Sequence, residues 1–167
     1  MKNVSVKNVD IQVVAALDSV RLSGIDILFR EYAASLNVAQ CFQDFESELA
    51  ALPGEYAQPF GTLLLATVSG AFAGCCALRP LDHVDYANAG EMKRLYVRPN
   101  FRGVGLGRML AEGILEHARL FGFKYVLLDT LDDMEAARAL YGELGFEEIP
   151  PYYFNPIAEA HYLRVAL

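Results

Sequence analysis

The stretch from Glu91 to Asp129 limits the possible folds more than any other part of the chain. Glu91 to Val97 reads as a strand, closed by Arg98-Pro99-Asn100. From about Gly105 to Leu120 apolar residues recur at helical spacing, with Leu106, Met109 or Leu110, Ile114, Ala118 and then Phe121 on the inward stripe. Tyr125 to Asp129 reads as a second strand. A strand–helix–strand unit of this length joins its strands in parallel through a right-handed crossover. Just before it, Thr62 to Val68 and Ala71 to Leu78 are apolar runs separated by Ser69-Gly70, the signal of a hairpin. A hairpin feeding a crossover requires a mixed sheet. The expected class is therefore α/β (α+β), a mostly antiparallel sheet around a central parallel βαβ unit.

The remaining elements follow from the same signals. Ile11 to Ala16 is a short apolar run with β-branched residues. Asp18 or Ser19 can cap a helix whose apolar stripe is Val20, Ile25, Leu28, Phe29, Tyr32 and Leu36, with Asn37 at its end. Phe42 to Leu52 fits a second helix, with Phe42, Phe45 and Leu49 on one stripe and Pro53-Gly54 stopping it. Arg79 to Ala89 reads as a loop. Asp132 with Glu135 forms a capping-box-like pair for a fourth helix with inner face Ala137, Leu140, Tyr141 and Leu144. Gly145 suits a left-handed C-terminal residue. Phe146 to Ile149 starts a short strand, Pro150-Pro151 breaks it, and Tyr162 to Leu167 is a last strand. The order is β-α-α-β-β-β-α-β-α-β-β. There is no internal repeat and no obvious linker, so residues 1–167 are expected to form a single domain.

Composition excludes some functions. Hydrophobic residues make up 54% and charged residues 21%, enough apolar material for a core. The net charge of -7 has the wrong sign for a nucleic-acid groove; it suits a cationic acceptor such as an amine, and solubility explains it equally well. Cys41, Cys75 and Cys76 form no disulfide framework and read as reduced thiols, with Cys75-Cys76 as buried small hydrophobes. His83, His117 and His161 have no metal-ligand spacing with them, so no metal is expected. Met1 to Ser5 opens polar, without the pattern of a signal peptide, and no apolar stretch approaches the roughly 20 residues of a membrane span. A cytoplasmic protein without membrane association is expected.

The segment Arg102-Gly103-Val104-Gly105-Leu106-Gly107 lies after a strand and before a helix, where backbone N–H groups and the helix dipole converge on an anion. Arg102 and Arg108 place positive charge on either side. No Ser, Thr, Asp or Asn stands within residues 102–107 to cap the helix, so its first N–H groups lack an evident side-chain partner. A Walker A loop needs Gly-Lys-Ser/Thr, and here Gly107 is followed by Arg108-Met109. A dinucleotide fingerprint needs a third glycine where Arg108 or Leu110 stands. A phosphate site of another kind and a glycine-rich helix entry that binds nothing both remain open on the loop alone.

The loop resembles the Arg/Gln-x-x-Gly-x-Gly/Ala signature of the GNAT N-acetyltransferases. Leu95-Tyr96-Val97-Arg98-Pro99 is similar to that family's Leu-x-Val-x-Pro, and Ala137-Arg138-Ala139-Leu140-Tyr141-Gly142-Glu143-Leu144-Gly145-Phe146 to its Ala-x-x-Leu-Tyr-x-x-x-Gly-Phe element. The element order agrees as well, over essentially the whole chain. The resemblance implies acetyl-CoA as co-substrate. It implies that the backbone of Leu95, Tyr96 and Val97 pairs with the pantetheine arm, and that amides from Gly103 to Arg108 hold the pyrophosphate. Tyr141 would stand near the thioester sulfur, and the Val97 N–H would be the oxyanion donor. The family often has an Asn where this chain has Met134, which cannot make the same hydrogen bond.

Acyl transfer to an amine needs a base, a stabilised oxyanion and an acid for the departing thiolate. Tyr141 is the candidate acid; the alternative is a core tyrosine. Glu91 is the candidate base, as in some family members; the alternative is a strand-edge glutamate paired with Lys93 or Arg94. No Cys/His pairing is readable for a covalent route, which favours direct attack in a ternary complex. Pro151-Tyr152-Tyr153-Phe154-Asn155-Pro156 either walls an acceptor site or covers the sheet edge. Arg79 either holds an acceptor carboxylate or forms a surface salt bridge. The expected reaction is acetylation of a small-molecule primary amine, with a homodimer as the admissible assembly. Acetylation of a protein N-terminus or lysine, and a non-catalytic acyl-CoA sensor, are the other readings.

Overall fold

The computed structural model describes residues 10–36, 45–131, 134–154 and 159–167. Among the described residues seven strands form one sheet: β1 (Ile11–Ala15), β2 (Thr62–Val68), β3 (Ala71–Leu81), β4 (Ala89–Val97), β5 (Tyr125–Leu131), β6 (Glu147–Ile149) and β7 (Ala160–Ala166). Their spatial order is β1-β2-β3-β4-β5-β7-β6. Every neighbouring pair is antiparallel except β4 and β5, which run parallel. The helices are α1 (Ser19–Ser35), α2 (Phe45–Ala50), α3 (Leu106–Leu120) and α4 (Glu135–Glu143). The element order read from the sequence is the one observed, with α3 as the crossover between the parallel strands.

The sheet is buried on both faces, which is why β2 and β3 read as continuous apolar runs rather than alternating ones. Leu64, Ala66, Cys76, Leu78 and Met92 face the core that holds α3 and α4. Leu63, Leu65, Cys75, Ala77 and Tyr96 face the other core, with Ile25, Leu28 and Phe29 of α1 and Leu49 of α2. The inward stripe of α3 is Leu106, Leu110, Ala111, Ile114, Leu115 and Ala118, whereas Met109 is 39% exposed. Leu110 therefore fills the position that the sequence left open between the two.

Asp18 caps α1, its carboxylate accepting the Arg21 N–H at 2.8 Å. Val20, placed on the apolar stripe by spacing, is 69% exposed because the first turn of α1 lies beyond the edge of the core. β3 extends to Leu81 through the segment read as a loop: Arg79, Pro80 and Leu81 pair with Glu91, Gly90 and Ala89. Proline is tolerated there because β2 stops pairing at Thr62–Leu78, leaving that side of Pro80 without a strand partner. Met134 occupies the N-cap of α4 without a side-chain cap, and the expected cap Asp132 lies outside the described residues, as do Asn37, Cys41 and Phe42. Gly145 ends α4 with φ 92°, the left-handed value expected of it.

Candidate active site

The parallel pairing of β4 with β5 covers only Ala89–Tyr125, Gly90–Val126 and Glu91–Leu127. Beyond Glu91 the two strands separate, although β4 continues to Val97 and β5 to Leu131. The cause lies on the other edge of β4. Its register against β3 shifts between Cys75 and Ala77, so that Lys93 to Tyr96 form a bulge, with Arg94 at φ 58°. Arg94 is held in that left-handed conformation by its guanidinium, which lies 5.4 Å from the Phe29 ring centroid and 5.2 Å from that of Phe45 and pairs with Glu48. Among the described residues β5 thus gives no strand pairing to Leu95, Tyr96 or Val97. An extended ligand with amide groups can satisfy such an edge.

β4 leads through a short turn, Pro99–Phe101, into the glycine loop. Gly103 and Gly105 have φ 84° and 85°, and a Cβ at either would meet nothing within 4 Å. Backbone conformation, not space, therefore demands glycine here. Gly107, by contrast, lies within helical backbone, and a Cβ there would make ordinary van der Waals contact with a Leu140 methyl at 3.8 Å. Gly105 caps α3 without a side-chain hydrogen bond. The Met109 N–H bonds the Gly105 carbonyl at 3.1 Å; ahead of it the N–H groups of Leu106, Gly107 and Arg108 open the helix. The pyrophosphate of acetyl-CoA fits this end by charge and by donor geometry. Gly105→Ala should cost about 1–2 kcal/mol in denaturant unfolding, because alanine is strained at that φ.

The two flanking arginines do not stand free beside the loop. Arg102 donates from Nε to the Val97 carbonyl at 2.8 Å, tying the loop back to the end of β4. Arg108 pairs with Glu112 and Glu143. Backbone amides, rather than these side chains, are thus the groups presented by the loop.

On the α1 side of the gap stand two carboxylates. Glu91 is 2% exposed. Its Oε1 accepts from Arg79 Nε at 2.8 Å and lies 2.7 Å from Arg79 Nη2 in an ion pair, and its Oε2 accepts from the Tyr152 hydroxyl at 2.7 Å. Lys93 lies 3.8 Å away, whereas Arg94 pairs with Glu48 instead. Glu91 is therefore a buried residue at the last paired position between β4 and β5, not a strand-edge one. Arg79 bridges Glu91 to Glu55, 2.5 Å from its Nη1. The second carboxylate, Asp129, accepts from the Tyr153 hydroxyl at 2.8 Å. Burial holds Asp129 above the usual carboxylate range, and Glu91 adds to the effect, against the opposing pull of Tyr153 and Lys93.

The aromatic segment after β6 is what covers this side. The rings of Tyr152, Tyr153 and Tyr162 are mutually packed at centroid distances of 5.2 to 5.6 Å. Phe154 is 92% exposed, and Asn155 and Pro156 lie outside the described residues. Sequence reading singled out the segment but not its contacts, and it treated Asp129 only as the end of a strand. The available signal was a lone carboxylate inside the apolar run Tyr125–Leu131.

Tyr141 lies on the opposite face, in the α3–α4 core, 6% exposed and 5.6 Å from Phe146 ring to ring. Burial raises its pKa well above the ordinary value, with Cys76, Tyr32 and Asp129 close enough to add to the effect. Tyr32 and Asp129 belong to the other face, so Tyr141 approaches them across the gap. Cys75 and Cys76 are fully buried, and burial pushes both thiols up, away from the thiolate that covalent catalysis requires. Among the described residues no group of three or more His, Cys, Asp or Glu side chains is placed to hold a metal ion, and no helix is long and apolar enough to cross a membrane.

The model of the acetyltransferase (GNAT) family matches residues 27–146. An uncharacterized N-acetyltransferase of Schizosaccharomyces pombe is 36% identical over 147 residues, covering 87% of this chain and 88% of that one. An IAA acetyltransferase of Azospirillum brasilense is 36% identical over 96 residues, covering 58% of this chain and 61% of its own. Among solved structures, an acetyltransferase of Salmonella typhimurium with its cofactor acetyl-CoA superposes with a TM-score of 0.73 at 19% identity, over 93% of each chain.

Proposed function

The chain belongs to the acetyltransferase (GNAT) family, an N-acetyltransferase by that membership, and on that premise we propose that it moves the acetyl group of acetyl-CoA to the primary amine of a small molecule by direct attack in a ternary complex. The observation that carries this reading is the gap between β4 and β5. Its β4 edge at Leu95 to Val97, which β5 does not pair, leads to the open N-terminus of α3, its α1 side presents carboxylates, and its α3 side presents Tyr141.

In this reading the backbone of Leu95, Tyr96 and Val97 aligns the pantetheine arm, and the amides from Gly103 to Arg108 bind the pyrophosphate. The Val97 N–H stabilises the developing oxyanion. Tyr141, which burial keeps protonated, donates to the departing sulfur. Glu91 and Asp129 are the two carboxylates that face the acceptor side. Glu91, the candidate base from sequence, has hydrogen-bond donors on both oxygens. A cationic amine gains from two nearby carboxylates. Tyr152 and Tyr153 lie over those carboxylates, which suits a small acceptor better than a polypeptide side chain.

The test is release of free coenzyme A thiol from acetyl-CoA across L-amino acids, polyamines, amino sugars and arylalkylamines. At least one class should raise the rate well above that with water alone and yield the N-acetylated amine. Acetyl-CoA binding with no release for any of them would remove the small-amine reading, and an acetylated enzyme isolated in the absence of acceptor would remove direct attack.

A further inference from the structure

Resting on the acetyltransferase reading above, we propose that Asp129 is the carboxylate that takes the proton from the acceptor's ammonium group, and that Glu91 is a positioning residue that fixes Arg79 and Tyr152 around it. Glu91 is engaged on both oxygens: Oε1 accepts from Arg79 and is ion-paired with its guanidinium, and Oε2 accepts from Tyr152. Its neighbours are fixed in turn: Arg79 also reaches Glu55, and the Tyr152 ring packs on Tyr153 and Tyr162. This arrangement makes Glu91 part of a fixed wall beside Asp129.

Asp129 is placed differently. It lies two residues past Leu127, the last residue of β5 paired with β4, so it stands where the strands have separated. Val126 and Leu128 face the α3 core, which turns Asp129 to the same face as Glu91. The titratable groups around it come from every neighbouring element. Glu91 and Lys93 face it from β4, Tyr32 from α1, Tyr141 from α4, Tyr152 and Tyr153 from the segment after β6, and Tyr162 is its register partner on β7. Tyr153 is the side chain that donates to it. Lys93 helps to keep the carboxylate charged, while burial and Glu91 favour uptake of a proton. A base must be ionised before the reaction and still accept a proton during it, and this environment provides both.

The protons and electron pairs balance as follows. The ammonium gives one proton to Asp129, and the neutral nitrogen attacks the acetyl carbonyl, forming the N–C bond. The adduct collapses, the C–S bond breaks, and its electron pair leaves on sulfur. Tyr141 protonates that sulfur and is restored by the second proton lost from nitrogen. Asp129 returns its proton to solvent. The products are the N-acetylated amine, coenzyme A and one proton.

The experiment uses the full chain, acetyl-CoA and the fastest amine of the panel above, with kcat followed against pH and acetyl-CoA binding by calorimetry. D129N should lower kcat on the order of 10²–10⁴-fold, lose the acidic limb of the kcat profile, and bind acetyl-CoA within about twofold of the parent. E91Q should lose less and keep that limb. Y153F retains the carboxylate but removes its donor, so the limb should move to higher pH. A D129N protein that turns over within about threefold of the parent, or a limb that vanishes in E91Q and persists in D129N, would overturn the assignment. So would a limb that Y153F leaves in place. Failure of the parent to acetylate any amine sinks the underlying reading instead, and the inference falls with it.

Discussion

Tyr141→Phe is expected to lower kcat by on the order of 10²-fold, as the loss of a general acid does, while leaving acetyl-CoA binding and the melting temperature close to those of the parent. The ring accounts for most of what Tyr141 contributes to packing: it sits in the α3–α4 core against Phe146, and phenylalanine keeps that contact. The hydroxyl is a different matter. Among the described residues the hydroxyl takes part in no side-chain hydrogen bond, so its removal should cost the fold little and the loss should be confined to turnover. Because burial raises the tyrosine pKa, the donor form persists above the ordinary value near ~10. The kcat profile of the parent should therefore show no fall from Tyr141 ionisation across the working range. Stopped-flow or steady-state thiol release, combined with calorimetric binding, separates the two effects. Unchanged kcat in the phenylalanine variant would return Tyr141 to a packing role.

Gly107→Asp should weaken acetyl-CoA binding on the order of 10²–10³-fold, and it should do so without loss of stability. The Cβ of an aspartate side chain at this position in the first turn of α3 makes only ordinary van der Waals contact, with a Leu140 methyl at 3.8 Å. Its charge complements the positive end of the helix, worth about 0.3–1 kcal/mol in favour of folding. The same charge competes with the pyrophosphate for the Leu106, Gly107 and Arg108 N–H groups. It also repels it, by roughly 4 kcal/mol per charge pair at 4 Å and an effective dielectric near 20. The opposed signs make the test sharp. Calorimetry should show binding lost while thermal unfolding is unchanged or raised. If binding survives, the helix terminus is not where the pyrophosphate rests. Gly107→Ala serves as the neutral control, since the site has room for a methyl group.

Much of the fold was legible because it depends on local chemistry. The hairpin at Ser69-Gly70, the cap at Asp18, the left-handed Gly145 and the apolar stripe of α3 each follow from a residue type at a fixed spacing, and each stands where it was expected. The errors fell where a neighbour distant in sequence overrides the local signal. Pro80 looked like loop but lies in β3, because β4 pairs with it and β2 does not reach it. Val20 fits the helical stripe but lies outside the core.

The site divides along the same line. The sequence by itself determined the glycine loop, the absence of a side-chain cap on α3, and the strand–helix–strand unit that puts that loop at the end of β4. Each is a short-range relation between residues and backbone. Only the tertiary structure decided that β4 leaves β5 at Glu91, because the bulge depends on Arg94 being held between Phe29 of α1, Phe45 of α2 and Glu48. Only the tertiary structure brought Tyr152 to Glu91, 61 residues away, and Tyr153 to Asp129, 24 residues away. It also engaged Arg102 with the Val97 carbonyl and Arg108 with Glu112 and Glu143, contacts that their positions beside the loop did not announce. A side chain's chemistry is fixed by its type, but whether it is free to act depends on what the fold places against it, and no local pattern records that.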